Sequence, residues 1–110
     1  LLTTVEDVMH KDNLPICSKE SGIKEIIQSV SEGKMGLAIV MQENDILGII
    51  TDGDIRRAME SMEENFFTLQ AKDLMSLHPK VINPKAKLME AQTMMSKYKV
   101  NSLLVVDNIN

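Results

Sequence analysis

The stretch Gly48-Ile49-Ile50-Thr51-Asp52-Gly53-Asp54-Ile55-Arg56-Arg57 sets a hydroxyl, two carboxylates, a glycine and two guanidinium groups where an apolar run gives way to a polar one. If a strand ends at Thr51 and a helix starts at Asp52, first-turn N–H groups and the positive end of the helix dipole meet just beyond the strand, which favours an oxyanion. There Thr51 offers a hydroxyl to a phosphate or ribose oxygen, and Gly53 lets a ligand approach the backbone. The Asp54 carboxylate accepts both hydrogens of a ribose diol, and Arg56 and Arg57 supply counter-charge to a phosphate. The same spacing has a purely structural use. Thr51-x-x-Asp54 is a capping box, worth about 1 kcal/mol to a helix with no ligand present, and arginines on a helix are commonly just solvated. On the residues alone both uses stay open.

Other candidates are thinner. His10 and His78 both follow the short first helix of a repeat described below, an arrangement that would bring them together across a repeat axis. Two histidines without a clustered carboxylate or thiol do not make a metal site, and none is expected. Ser18, Ser21 and Ser29 lack the context of a nucleophile, Ser21 reads as a helix cap, and Met94-Met95 reads as core by its spacing. Cys17 sits in an apolar stretch and reads as an inert core residue. No acid–base pair emerges, so no catalytic residue is assigned and the chain is not expected to be an enzyme by itself.

Composition sets the outer limits. With 110 residues, 44% hydrophobic and 25% charged, the chain suits one compact domain or two half-domains sharing a core. Two Phe, one Tyr and no Trp leave Ile, Leu, Val and nine Met to fill that core. The formal net charge is −4 without any basic stripe, so nucleic acid is not an expected partner. The longest apolar runs, such as Leu37 to Met41, fall far short of the roughly 20 residues that span a bilayer. A single cysteine excludes an internal disulfide and fits a reducing cytoplasm. No signal peptide is visible, and a start at Leu1 with a closing run Leu103 to Asn110 that reads as a strand entering a turn suggests a piece of something longer.

The elements that would position the Thr51 stretch follow from an internal repeat. Asp7-Val8-Met9 lies on Asp73-Leu74-Met75 at an offset of 66, and from Ile16 the offset is 65, pairing Cys17 with Ile82, Ile23 with Leu88 and Ala38-Ile39-Val40 with Leu103-Leu104-Val105. One residue is therefore missing from a loop of the second copy. The first copy begins with a capping box, Thr4 to Asp7, and a short helix with Val5, Val8 and Met9 on its apolar side. A short strand at Pro15 to Cys17 follows. Ile23, Ile26, Ile27 and Val30 then predict a helix over 22–32 with Gly33 ending it, matched by one over 86–98 built on Leu88, Ala91, Met95 and Tyr98. Leu37–Met41, a polar turn at 42–45 and Ile46–Thr51 predict a hairpin. Asp52 to about Ser61 predicts a helix with Ile55, Ala58, Met59 and Met62 on one side, and Glu63-Glu64-Asn65 a solvated connector pinned by Phe66 and Phe67.

A duplicated unit of this order, closed in its first copy by Gly48 to Ile55, resembles the CBS domain, named for cystathionine β-synthase and usually found as tandem pairs. The resemblance covers the chain from about Thr4 to Asn110. It implies an α+β fold of β-α-β-β-α units related by a pseudo-twofold, with repeat 1 at 1–62, a connector at 63–70 and repeat 2 at 71–110, incomplete after its second strand. It further implies an adenine nucleotide or nucleotide-sugar effector bound between the repeats, with no required cofactor: Thr51 on phosphate or ribose, Asp54 on ribose hydroxyls, Gly53, Arg56 and Arg57 around them, and the strands at Ile16, Cys17 and Leu37 lining the base pocket. The run Thr51 to Arg57 and the entry Val5-x-Asp7-Val8-Met9 look, more narrowly, like the C-terminal CBS region of sugar-phosphate isomerases of the arabinose-5-phosphate isomerase type. That implies a separate N-terminal sugar-isomerase domain as partner. The rival expectations are an oligomerisation module that binds nothing, or a CBS pair from another enzyme or transporter. The edge of the strand at Ser102 to Val106, without a hairpin partner, points to a homodimer or higher homo-oligomer on either expectation.

Overall fold

The computed structural model describes residues 3–107; the turn expected at 108–110 lies outside them. In chain order the elements are α1 (Val5–Val8), β1 (Ile16–Cys17), α2 (Ile23–Gly33), β2 (Leu37–Gln42), β3 (Asp45–Thr51), α3 (Asp52–Met62), a 3-10 helix (Glu63–Thr68), α4 (Ala71–Leu74), β4 (Val81–Ile82), α5 (Leu88–Tyr98) and β5 (Leu104–Val105). This is the α+β order expected from the repeat, and it recurs at the same offsets. β1 pairs parallel to β2 through Ile16–Ile39 and Cys17–Val40, and β4 pairs parallel to β5 through Val81–Leu104 and Ile82–Val105. Lys34 and Lys99 close α2 and α5 in the left-handed conformation, at φ 56° and 54°. Asn13 and His78 share a positive φ as well, 52° and 60°.

That last pair locates the missing residue. Asn13 and His78 are in register at offset 65, whereas Met9 and Met75 are in register at 66, so the deletion falls between them, three residues at 10–12 facing two at 76–77. His78 is therefore the equivalent of Asn13, not of His10, and the symmetric pairing of the two histidines does not hold.

The chain forms two compact units, and they do not follow the order of the repeats: one comprises residues 12–78, the other 1–11 with 79–110. Within the first, β2 stands between β1 and β3. The hairpin of β2 and β3 is antiparallel, runs from Leu37–Thr51 to Gln42–Asp45 and has a bulge between Val40 and Met41. Ile23, Ile26 and Val30 of α2 pack with Cys17, Ala38, Val40, Ile50, Ile55, Phe66 and Ala71. Burial of this apolar set drives the unit together. α4 is tied to the same unit by N–H bonds from Ala71 to the Ser21 carbonyl and from Lys72 to that of Lys19. Next to it, Ile49 and Ser76 exchange N–H···O bonds of 3.1 and 2.8 Å. A Cβ on Gly48 would stand 2.5 Å from the Ser76 carbonyl oxygen, so this approach requires glycine. In the second unit Val5 packs with Ile82 and Ala91, and α1 is held by bonds from Val5 N–H to the Ala86 carbonyl and from Glu6 N–H to that of Pro84.

Several expectations change. Gly33 is the last residue of α2, but Lys34 makes the reversal; a Cβ on residue 33 would meet the Pro15 ring at 2.8 Å, and this close approach is what calls for glycine there. Ser21 is not a cap, since Gly22 is the N-cap; its buried hydroxyl instead accepts from Ser18 N–H and donates to Glu25. Val8, Ile27, Met59, Met62 and Tyr98 are exposed, because the inward stripes narrow to Val5, to Ile23-Ile26-Val30, to Ile55 and to Ala91. The connector at 63–65 is helical, and of its two phenylalanines only Phe66 is buried, with Phe67 at 78% exposure laid edge-on against it at 5.2 Å. β5 is shorter than the expected 102–106, its ladder reaching only as far as two-residue β4.

Candidate functional site

Strand β3 hands over to helix α3 at Thr51, whose extended backbone (φ −102°, ψ 166°) makes it the N-cap. Both halves of the capping box are made. The Asp54 N–H donates to Thr51 Oγ1 at 3.2 Å, and the Thr51 N–H donates to Asp54 Oδ2 at 2.9 Å. The other carboxylate oxygen, Oδ1, accepts from Arg57 Nη2 at 2.7 Å. Asp54 is thus engaged at both oxygens, one by the backbone and one by a side chain on its own helix. The two partners differ in standing, for Asp54 is 15% exposed and Arg57 71%. An exposed i,i+3 pair contributes only a few tenths of a kcal/mol and yields readily.

Gly53 lies under this pair. A Cβ built there would stand 3.1 Å from Arg57 Nη1 and 3.5 Å from Cζ, so the guanidinium crosses the first turn in the space left by the missing side chain. The anion-binding expectation narrows at the backbone. The Asp54 amide is taken by Thr51, the Asp52 amide donates to the Gly36 carbonyl at 3.1 Å, and Asp52 and Asp54 place two carboxylates in the first turn. Counter-charge for a phosphate falls to Arg57 and to Arg56, which is exposed.

The three residues assigned to a base pocket do not share one face. By the register, Ile16 lies beside Ile39, Ile39 opposite Ile49 and Leu37 opposite Thr51, so these five residues share one side of the sheet. Cys17 lies beside Val40 on the other side, inside the core, where burial raises its thiol pKa and the nearby Glu25 charge raises it further. A pocket on the Thr51 face cannot include the Cys17 side chain. On that face Ile16 is half exposed, while Leu37 and Ile39 are buried. Ile39 and Ile49 went unassigned from the sequence, although period-two alternation from Leu37 and Thr51 points to them.

Asp54 and Arg57 also border an open cleft of about 570 Å³, lined further by Ala58, Met62, Leu69 and Asp73. Asp73 repeats the arrangement of Asp54, its Oδ2 accepting from Gln70 N–H at 2.9 Å. With two carboxylates against one guanidinium, the cleft does not suit a phosphate in its interior. Among the described residues no cluster of His, Cys, Asp or Glu is placed to hold a metal ion, and no helix is long and apolar enough to cross a membrane.

Comparison with known proteins agrees with the fold. The chain is similar over its full length to a probable arabinose 5-phosphate isomerase of Haemophilus influenzae, at 37% identity over 110 residues, which make up 32% of that protein. It thus spans about one third of such relatives. Among solved structures it is similar to CBSX2 in complex with AMP (TM-score 0.79, 23% identity, 96% of this chain and 82% of that one). The CBS domain protein PAE2072 from Pyrobaculum aerophilum, complexed with AMP, is similar in the same way (TM-score 0.81, 14% identity, 96% and 79%). The family model for the CBS domain matches residues 5–61 and again 71–110. The twice-repeated element order and the twofold match along the chain make this protein a member of the CBS domain family, carrying a pair of its repeats.

Proposed function

We propose that this chain is the regulatory, ligand-sensing part of a sugar-phosphate isomerase of the arabinose-5-phosphate type, and that a nucleotide or nucleotide-sugar binds at the β3–α3 junction. The observation that carries the reading is the state of Asp54, a poorly exposed carboxylate whose Oδ2 is fixed by the cap and whose Oδ1 is held only by an exposed arginine. With Arg57 displaced, Oδ1 is free to accept from a ribose hydroxyl while the helix keeps its start. Thr51 stands beside it, Arg56 and Arg57 face the phosphate, and the Ile16 edge of the sheet receives the base. The arabinose 5-phosphate isomerase relatives and the AMP complexes of similar folds support this assignment. Regulation follows if the ligand binds one state of the attached isomerase domain more tightly than another, which shifts the balance between them.

Thermal melting tests it with AMP, UDP-glucose and arabinose 5-phosphate as probes. A ligand at 100 times its Kd adds about 2.7 kcal/mol of stability, a rise of roughly 10 °C for a domain of this size. Asp54→Asn is expected to abolish the rise while leaving the ligand-free midpoint within a few degrees, because the amide oxygen still caps the helix. No shift with any probe overturns the proposal.

A second reading, an oligomerisation module, has its own observation in the exposed Met59, Met62 and Phe67 of α3 and the 3-10 helix that follows it. A monomer by light scattering at 100 μM removes it.

A further inference from the structure

We infer that Arg57 is a charge-selective latch on Asp54, one that releases the carboxylate only to a ligand carrying its own anionic group. The inference rests on the ribose-binding reading of Asp54 and adds what decides which ribose compounds gain entry. Of the two Asp54 oxygens, Oδ2 is committed to the Thr51 amide by the helix cap. The remaining one, Oδ1, is the only oxygen free of backbone duty, and Arg57 Nη2 covers it at 2.7 Å. A neutral nucleoside must displace the guanidinium and leaves it with water. A nucleotide displaces it too, and its phosphate then pairs with the freed guanidinium in a charge-assisted bond stronger than a neutral one. Release is local: Arg57 is 71% exposed and reaches Asp54 from one turn along the same helix, so it swings away with no backbone change.

Gly53 gives the latch its seat. The guanidinium crosses the first turn of α3 where a Cβ on residue 53 would come within 3.1 Å of Nη1 and 3.4 Å of Nη2. A methyl group at that position pushes aside the far end of a flexible side chain, not backbone. Gly53→Ala therefore opens the latch without altering any charge, and Arg57→Ala opens it by removing the charge. Only the first of the two keeps the guanidinium available to a phosphate. This separates the variants in a way that a merely structural role for Arg57 would not.

Titration calorimetry on the full chain reads the difference, with AMP against adenosine and CMP against cytidine. For the chain as it stands, the phosphorylated member of a pair is expected to bind about tenfold or more tightly. In Arg57→Ala the nucleoside gains about two- to fivefold and the nucleotide loses, so that the ratio collapses toward one. In Gly53→Ala, whose added methyl group also narrows the approach to the backbone, the readout is the ratio alone, and it falls less than in Arg57→Ala because the guanidinium is still there to pair with the phosphate. If Arg57→Ala weakens nucleoside and nucleotide alike, or leaves their ratio unchanged, the latch is wrong and the ribose site stands. If none of the four molecules binds the chain or either variant, the ribose site fails and takes the latch with it.

Discussion

Asp7, Asp54 and Asp73 sit at the third position of their helices and bond back to the residue that starts each one, yet only Asp54 has a second, removable partner. On the proposed function, that difference separates a capping carboxylate from one that also binds. Asp7 shows the capping role alone. Its Oδ2 accepts from the Thr4 N–H at 2.9 Å and from the Thr4 hydroxyl at 3.0 Å, and these bonds lower its pKa below the ordinary aspartate value, with a smaller contribution from the Lys11 charge. A carboxyl whose folded pKa is depressed adds stability above its unfolded pKa, and that stability is lost as pH falls through the folded value. NMR titration is expected to give Asp7 a lower midpoint in the folded chain than in urea, and Thr4→Ala is expected to raise the folded midpoint by removing the hydroxyl bond. Equal midpoints in folded and unfolded chain would refute this.

At the scale of elements, the turn from β3 into α3 is held from two sides. The Thr51 cap begins the helix, and the Ile49–Ser76 exchange fixes the strand just before it. Gly48 makes that exchange possible, because a Cβ there collides with backbone at 2.5 Å and backbone does not give way cheaply. Gly48→Ala is expected to cost about 1–3 kcal/mol, whereas Gly22→Ala, with nothing within 4 Å of its added Cβ, costs under about 1 kcal/mol as an N-cap change. Chemical denaturation of the two variants checks the contrast. The Gly48–Ile55 motif, whose ligand and capping uses both stay open on the residues alone, thus has its first residue assigned to strand pairing and its Thr51 and Asp54 to capping.

At the scale of the whole molecule, the compact units cut across the repeats, so a residue near the N-terminus supports elements about 80 positions away, as Val5 does beside Ile82 and Ala91. Val5→Ala removes two buried methyl groups, at about 2 kcal/mol. Hydrogen exchange is expected to rise in β4 and α5, while α2 and β2 keep their protection. Faster exchange in α2 instead would show that the units follow the sequence after all.

The sequence by itself determined the repeat, the element order and the Thr51-x-x-Asp54 pattern, because these are local: periodicity, capping and turn chemistry act within a few residues and leave their trace in spacing. Only the tertiary structure decided what depends on long-range contact. It left Phe67 in solvent while burying Phe66, and it gave Gly33 and Gly48 to close approach, against the Pro15 ring and the Ser76 carbonyl. It also laid Arg57 across Gly53 onto Asp54, a contact that needs an actual side-chain path and not only the i,i+3 spacing. A spacing states which groups are able to meet; packing settles which of them do.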